Sequence, residues 1–162
     1  MQGIDLYEVP VGQGMLAISP IPGLNGSYED DLLAIHGWGA KVVFSMTEMA
    51  ELQCAGAGEI GAHMAAMGIE WHHLPIRDFG APGLDVVAKW RQASDSAHAA
   101  FDVGHRVLIH CRGGCGRSGM AALRLLVERG EEAAGALARL RAVRPCAVET
   151  DEQYAWAAIG SG

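Results

Sequence analysis

Positive charge is scarce in this chain. Lys and Arg number 12 against 19 Asp and Glu, a net charge of −7, and lysine is confined to Lys41 and Lys89. That balance lacks the basic footprint of a nucleic-acid binder or of a protein held on an anionic membrane surface. Long apolar runs are also missing, and none approaches the ~20 residues of a membrane span. The first ten residues carry Asp5 and Glu8 but no basic segment, so no secretory signal is expected and the expected location is the cytoplasm. Cysteine is sparse: Cys54, Cys111, Cys115 and Cys146. No C-x-x-C pair occurs, which excludes a zinc knuckle or a thioredoxin motif, and the chain is not Cys-dense enough for a disulfide scaffold. All four are expected to be thiols in a reducing compartment. The histidines other than His110 are scattered apart from His72 and His73, and neighbours on a strand point to opposite faces. No metal site and no cofactor are expected.

What is present is a globular core. Half of the 162 residues are hydrophobic and 19% are charged, which fits one domain over residues 1–162. No repeat or linker interrupts it. Met15–Ile18, Lys41–Ser45, Ile69–Leu74 and Arg106–His110 read as strands. Helices are expected from Ser27, a candidate N-cap, to Trp38, over 48–55, 58–67, 84–103, 117–129 and 131–143, and from Thr150 or Asp151 onward. The 84–103 helix is expected to bury positions 84, 87, 90, 97 and 101. Strands alternating with helices predict an α/β fold with a mainly parallel central sheet flanked by helices.

The chemistry concentrates in Val107-Leu-Ile-His-Cys-Arg-Gly-Gly-Cys-Gly-Arg-Ser-Gly119. A buried strand delivers the chain into a loop with three glycines, and the loop opens a helix. Glycines let backbone N–H groups converge on one point, and the helix N-terminus adds unsatisfied N–H groups and the positive end of its dipole. Such a construction binds anions, most often phosphate. A nucleotide-binding P-loop would carry G-x-x-x-x-G-K-[ST], which is absent. Instead Cys111 sits at the base of the cradle and Arg117 follows six positions later. The N–H groups, the helix end and Arg117 all favour the thiolate, the nucleophilic form. An arginine fork can hold two phosphate oxygens at once.

His110-Cys-Arg-Gly-Gly-Cys-Gly-Arg-Ser118 resembles the signature of the cysteine-dependent protein tyrosine and dual-specificity phosphatases. His73-Leu-Pro-Ile-Arg-Asp78-Phe-Gly-Ala-Pro82 is similar to the general-acid loop of the kinase-associated phosphatase branch, and Ala147-Val-Glu-Thr-Asp-Glu-Gln-Tyr154 to the segment that follows in that branch. The resemblance spans about residues 15 to 158 and implies a tyrosine-phosphatase-like fold. It also implies hydrolysis of phosphate monoesters, on phosphotyrosine and on phosphoserine or phosphothreonine, through a phosphocysteine on Cys111. By the same resemblance Arg117 and the N–H groups of Arg112, Gly113, Gly114, Cys115 and Gly116 hold the phosphoryl oxygens. Asp78 is the general acid and then the base, Ser118 hydrogen-bonds the departing sulfur, and His110 organises the loop. The implied partners are a phosphorylated protein or small phosphate ester, with phosphate, sulfate or vanadate as inhibitory anions and no nucleic acid or membrane.

Some positions depart from that pattern. Glu149 stands where family members often carry the Gln that places the hydrolytic water, and Gln153 is the alternative candidate. Ser45 stands where the branch often has a cysteine that protects the nucleophile, which leaves Cys115 as the nearest thiol by sequence. Cys54 and Cys146 read as ordinary thiols. Arg112 and Arg77 either bind a second anionic group or lie solvated. Two other functions compete with the enzyme: a phosphatase-like module that binds phosphorylated ligands with little turnover, and sulfur or arsenate chemistry at a similar loop.

Overall fold

The computed structural model describes residues 3–161. Five strands form one mixed sheet: β1 (Tyr7–Val11), β2 (Gly14–Ser19), β3 (Ala40–Ser45), β4 (Glu70–His73) and β5 (Arg106–His110), in the spatial order β1-β2-β5-β3-β4. The strands β2, β5, β3 and β4 run parallel, and β1 pairs antiparallel with β2 through a tight turn at Gly12. The helices are α1 (Tyr28–Trp38), α2 (Met49–Cys54), α3 (Ile60–Ala66), α4 (Leu84–Asp102), α5 (Gly116–Glu128), α6 (Ala133–Val143) and α7 (Asp151–Ala158).

Alternation along the strands builds a core on each face. Leu16, Ile18, Val42, Phe44, Val107 and Ile109 join one cluster with residues of α4 and α5, whereas Ala17, Val43 and Leu108 join another with Ile35, Leu52, Ile60 and Met64. Strands buried on both faces read as near-continuous apolar runs, and Arg106-Val-Leu-Ile-His110 is such a run.

Local chemistry sets the helix ends. The Ser27 side chain accepts a hydrogen bond from Asp30 N, and Glu29, Asp30 and Asp31 occupy the first turn, where the dipole favours negative charge. Gly39 ends α1 at φ 92°.

Two expectations require correction. Strand β1 was not foreseen, because Pro10 lies in its middle; on this edge strand the missing N–H faces no partner strand. In α4 the buried face is Val86, Trp90, Ala93, Ala97, Ala100 and Phe101, while Leu84 and Val87 are exposed. Small residues carry much of that face, since Ala93, Ala97 and Ala100 let the helix lie close to the sheet. Positions 90, 97 and 101 are buried as expected, and the expected face fails only at 84 and 87.

The parallel strands all end at one edge of the sheet. From that edge emerge the loop after β5, the loop after β4 with Asp78, and the short segment after β3 that leads into α2. Ligands of open parallel sheets bind at this carboxyl edge.

Candidate active site

Cys111 is the first residue after β5 and is buried. Its sulfur lies 3.2 Å from Ser118 Oγ, in the first turn of α5. The loop between them is held from outside by its carbonyls. His110 Nδ1 lies 3.2 Å from the Cys111 carbonyl. Ile21 N donates to the Arg112 carbonyl at 3.0 Å. Arg144 donates from Nη2 to the Gly113 carbonyl at 2.9 Å and from Nε to the Gly114 carbonyl at 3.0 Å. Gly119 N donates to the Cys115 carbonyl at 2.9 Å. With five successive carbonyls bound, the N–H groups of residues 112–117 donate to no acceptor among the described residues. Such a ring of free donors above a thiol is an anion cradle. Gly114, at φ 75°, is needed because a Cβ there would stand 2.8 Å from the Ser19 backbone.

Arg117 is buried on α5 and its guanidinium is fully oriented. Nη1 and Nη2 reach the two oxygens of Glu51 at 2.7 and 2.8 Å, and Nη1 also donates to the Ile76 carbonyl at 2.8 Å. Of its five N–H groups, this leaves Nε, which has no partner among the described residues, and the second N–H of Nη2. Those two donors lie on one edge of the fork, the edge that can take two oxygens of a phosphate. Burial disfavours the Arg117 charge, but Glu51, Cys111 and Asp78 outweigh it and hold the guanidinium even more firmly protonated than usual. Glu51 is affected in the reverse sense. Partial burial would raise its carboxyl, and hydrogen bonds from Arg117 and the Glu48 N–H, with the Arg117 and Arg112 charges, lower it overall.

Asp78 Oδ1 stands 3.3 Å from Arg117 Nη2 and accepts from Phe79 N at 3.0 Å. Phe79 has φ 62°, an unusual conformation for a bulky side chain, and is exposed beside the acid. Asp78, Phe79, Leu24, Cys111, Arg112, Gly113, Cys115, Gly116, Arg117 and Glu149 line a cleft of about 170 Å³. Arg112 thus stands at the mouth, whereas Arg77 is exposed and outside this lining.

His110 is fully buried between Ser19 and Ser45 in the sheet register. Its Nε2 is 2.5 Å from Ser45 Oγ, which accepts from Trp71 Nε1 at 2.8 Å. With Trp71 donating, Ser45 donates in turn to Nε2, and the remaining Nδ1–H faces the Cys111 carbonyl at 3.2 Å. Burial, with the nearby His73 and Arg117 charges, pushes His110 down to about 4. The ring is therefore neutral and acts as a strut.

Glu149 and Gln153 divide their tasks. Glu149 faces the cleft, whereas Gln153 is buried behind it. Gln153 accepts from Glu149 N at 2.9 Å and donates to the Gly80 carbonyl at 3.1 Å, tying the acid loop to the Glu149 backbone.

The expectation of four thiols is wrong. Cys115 and Cys146 form a disulfide across 31 residues of sequence, with Cα atoms 5.1 Å apart. Cys115 is thus bonded away from Cys111, and Cys146 is no ordinary thiol; Cys54 and Cys111 are free. The pairing arises because the turn after α6 folds back against the β5–α5 loop, a proximity that sequence spacing cannot reveal. Sequence reasoning also missed Glu51, Arg144 and Phe79. No local motif marks the first two, which reach the loop from 66 and about 30 residues away.

Among the described residues no group of three or more His, Cys, Asp or Glu side chains could hold a metal ion, and no helix is long and apolar enough to cross a membrane.

A family model described as "Tc-R-P: Polymorphic toxin system, DSP-PTPase phosphatase" matches residues 21–131. Among solved structures, the kinase-associated phosphatase with its catalytic-site cysteine replaced by serine is 22% identical and superposes with a TM-score of 0.84, over 97% of this chain and 93% of that one. Tk-PTP in its active form is 29% identical with a TM-score of 0.71, over 96% of each chain. PTPMT1 in complex with PI(5)P is 14% identical with a TM-score of 0.74, over 96% of this chain and 94% of that one.

Proposed function

Because the chain belongs to the DSP-PTPase phosphatase family, an enzyme family of the tyrosine and dual-specificity type, we propose that it hydrolyses phosphate monoesters through a phosphocysteine on Cys111. The observation that carries this reading is the cradle itself: a free, buried thiol 3.2 Å from Ser118 Oγ, under N–H groups that no acceptor among the described residues uses.

A phosphate entering the cleft receives the N–H groups of residues 112–117 and the Nε/Nη2 edge of Arg117. Asp78 then gives up its contact with Nη2 to the phosphate and turns to the ester oxygen. The Cys111 thiolate attacks phosphorus, the P–O bond to the alcohol breaks, and Asp78 in its acid form gives that oxygen its proton. In the second step Asp78, now a carboxylate, takes a proton from water, the water oxygen bonds phosphorus, the P–S bond breaks, and the electron pair returns to sulfur. Ser118 donates to that sulfur as it leaves. Glu51 and the Ile76 carbonyl are positioning groups that hold Arg117 still while charge moves. Fixed donors of this kind lower an acyl- or phosphoryl-transfer barrier by several kcal/mol.

The cleft is small and open, and Phe79 and Leu24 offer apolar contact at its rim. This favours both phosphotyrosine and the shorter phosphoserine and phosphothreonine side chains as substrates. Arg112 at the mouth is available to a second anionic group. A structural relative was solved with PI(5)P, so a phosphoinositide belongs in the substrate panel.

The test is hydrolysis of an aryl phosphate and of matched phosphotyrosine, phosphoserine and phosphothreonine peptides by wild type and Cys111→Ser. Wild type turns over and vanadate inhibits it; Cys111→Ser is inactive yet still binds phosphate. Equal activity in the two proteins would rule the path out.

A further inference from the structure

The disulfide of this chain ends where the anion cradle is least able to hold its own shape. Gly113 and Gly114 are adjacent glycines, the residues with the greatest backbone freedom, and Cys115 follows them. One short turn after α6 holds all three. Arg144 binds the Gly113 and Gly114 carbonyls, and Cys146, two residues on, is bonded to Cys115. Arg144 is itself anchored: Nη1 donates to the Tyr7 hydroxyl at 3.1 Å, and the guanidinium stacks 4.3 Å from the Tyr7 ring centroid. A staple needed for stability alone could join any two elements. This one ends on a residue whose N–H group belongs to the cradle.

The bond is also open to attack. Cys115 and Cys146 are half-buried, whereas Cys111 is buried. The two sulfurs of the pair differ as leaving groups. Arg144 Nη2 stands 3.6 Å from Cys115 Sγ, and Cys115 is the N-cap residue of the 13-residue helix α5, where the dipole favours negative charge. The sulfur with the more stable thiolate leaves faster, so an incoming thiolate is directed to Cys146 Sγ. Breaking the bond changes the cradle in two ways. The turn is no longer covalently tied to the loop. A thiolate at Cys115 also sets a negative charge beside a site suited to a dianion, and it competes with the Gly113 carbonyl for Arg144 Nη2.

We propose that Cys115–Cys146 is a thiol–disulfide exchange site through which a dithiol reductant lowers the affinity of the cradle for phosphate. This rests on the phosphate-binding loop of the function proposed above. The balance is complete. A thiolate of the reductant attacks Cys146 Sγ, the S–S bond breaks, and its electron pair goes to Cys115 Sγ. The second thiolate of the reductant then attacks the reductant sulfur of the mixed disulfide, and Cys146 leaves as a thiolate. The reductant ends as an intramolecular disulfide, and its two electrons and two protons pass to the cysteine pair. Cys111 takes no part. Oxidation of Cys111 would remove the nucleophile, whereas oxidation of this pair tightens phosphate binding, so the two thiol systems respond to reductant in opposite senses.

The test removes the nucleophile so that binding alone is read. The full chain carrying Cys111→Ser is titrated with inorganic phosphate by isothermal calorimetry, oxidised and after dithiothreitol, at a temperature where circular dichroism shows both forms folded. Alkylation and intact mass report the state of the pair. Reduction is expected to weaken binding roughly 10-fold, less than the about 10²–10³-fold effect of losing one preorganised donor outright. Cys111→Ser/Cys146→Ser is expected to bind at the reduced protein's affinity and to ignore dithiothreitol. Cys111→Ser/Arg144→Gln keeps the disulfide, binds phosphate more weakly and loses less on reduction, a non-additivity that a staple acting only on global stability would not give. Equal affinities with the pair shown to be reduced overturn the proposal. So does loss of binding only where the reduced protein unfolds, since the bond would then be a staple. Wild-type turnover of an aryl phosphate is read separately: with turnover intact and equal affinities, this proposal alone falls, and with neither turnover nor phosphate binding, the underlying reading falls as well.

Discussion

Arg117 shows how much one residue can demand of its neighbours. Its guanidinium is buried, and Glu51 supplies the charge that makes that burial tolerable. Removing one partner of a buried pair costs about 3–5 kcal/mol, because the other charge is left uncompensated. Glu51→Ala is therefore expected to lower the melting temperature by roughly 6–20 °C, at about 2–4 °C per kcal/mol for a chain of this size. It should also weaken vanadate inhibition, since the fork is no longer aimed. Calorimetry and inhibition assays on the same preparation check both; an unchanged melting temperature would show that Asp78 and the Ile76 carbonyl suffice to hold Arg117. At this scale the sequence was informative where chemistry imposes spacing. Cys111, Arg117 and Ser118 fall together because the short loop between β5 and α5 brings both its ends to one point. The place of Asp78 at the cleft was legible for another reason, its Gly- and Pro-rich loop after a strand. Glu51 was not, because an acidic residue in a short surface helix looks like any solvated carboxylate until the fold brings Arg117 to it.

Among elements, the segment between α6 and α7 matters beyond its length. It is stapled to the β5–α5 loop by Cys115–Cys146, and Gly119 packs so closely that a Cβ there would lie 2.6 Å from Val148 N. Closing a loop of this size stabilises by about 3–4 kcal/mol in the chain-entropy picture. Cys146→Ser is expected to lower the melting temperature by roughly 6–15 °C. A reductant should bring wild type down to the same value and leave the variant unaffected. Differential scanning fluorimetry with and without dithiothreitol decides it: a reductant-insensitive wild type would show that the pair contributes nothing to stability. The boundaries of α1, β3 and β5 were readable from caps and apolar runs, while the disulfide and the start of the buried face of α4 were not. Local signals fix where an element stops. They say little about which turn lands on which, or whether an alanine stripe rather than a leucine stripe meets the sheet.

Across the whole molecule, acid should act through two groups, the buried His110 at the carboxyl edge of the sheet and the half-buried Glu128 between α4 and α5. His110 is held neutral down to about 4. An unfolded His110 takes up its proton near pH 6.5, so folding stability falls as pH drops from about 6.5 toward 4, by about 3 kcal/mol in all. Glu128 works in the same direction. Burial would raise its carboxyl, but His98, Ser94, Trp90 and Arg124 hydrogen-bond it and hold it near 2. Its contribution is complete above the ordinary carboxylate range and is lost as pH falls from about 4.5 toward 2. Denaturant melts from pH 7 to pH 4 should show the first loss, and it should disappear in a folded His110→Asn variant. A flat stability between pH 6.5 and 4 would mean that the ring can charge within the fold.

The outward-bonded carbonyls of residues 111–115 have one more consequence. Water solvates a phosphate by turning toward it, and it must turn again each time the charge on the ion moves. In this loop that rotation has already been spent during folding, because each peptide is clamped at its oxygen by Arg144, Ile21, Gly119 or His110. The loop thus behaves as a solvent with frozen dipoles, and charge can cross it without waiting for the medium to rearrange.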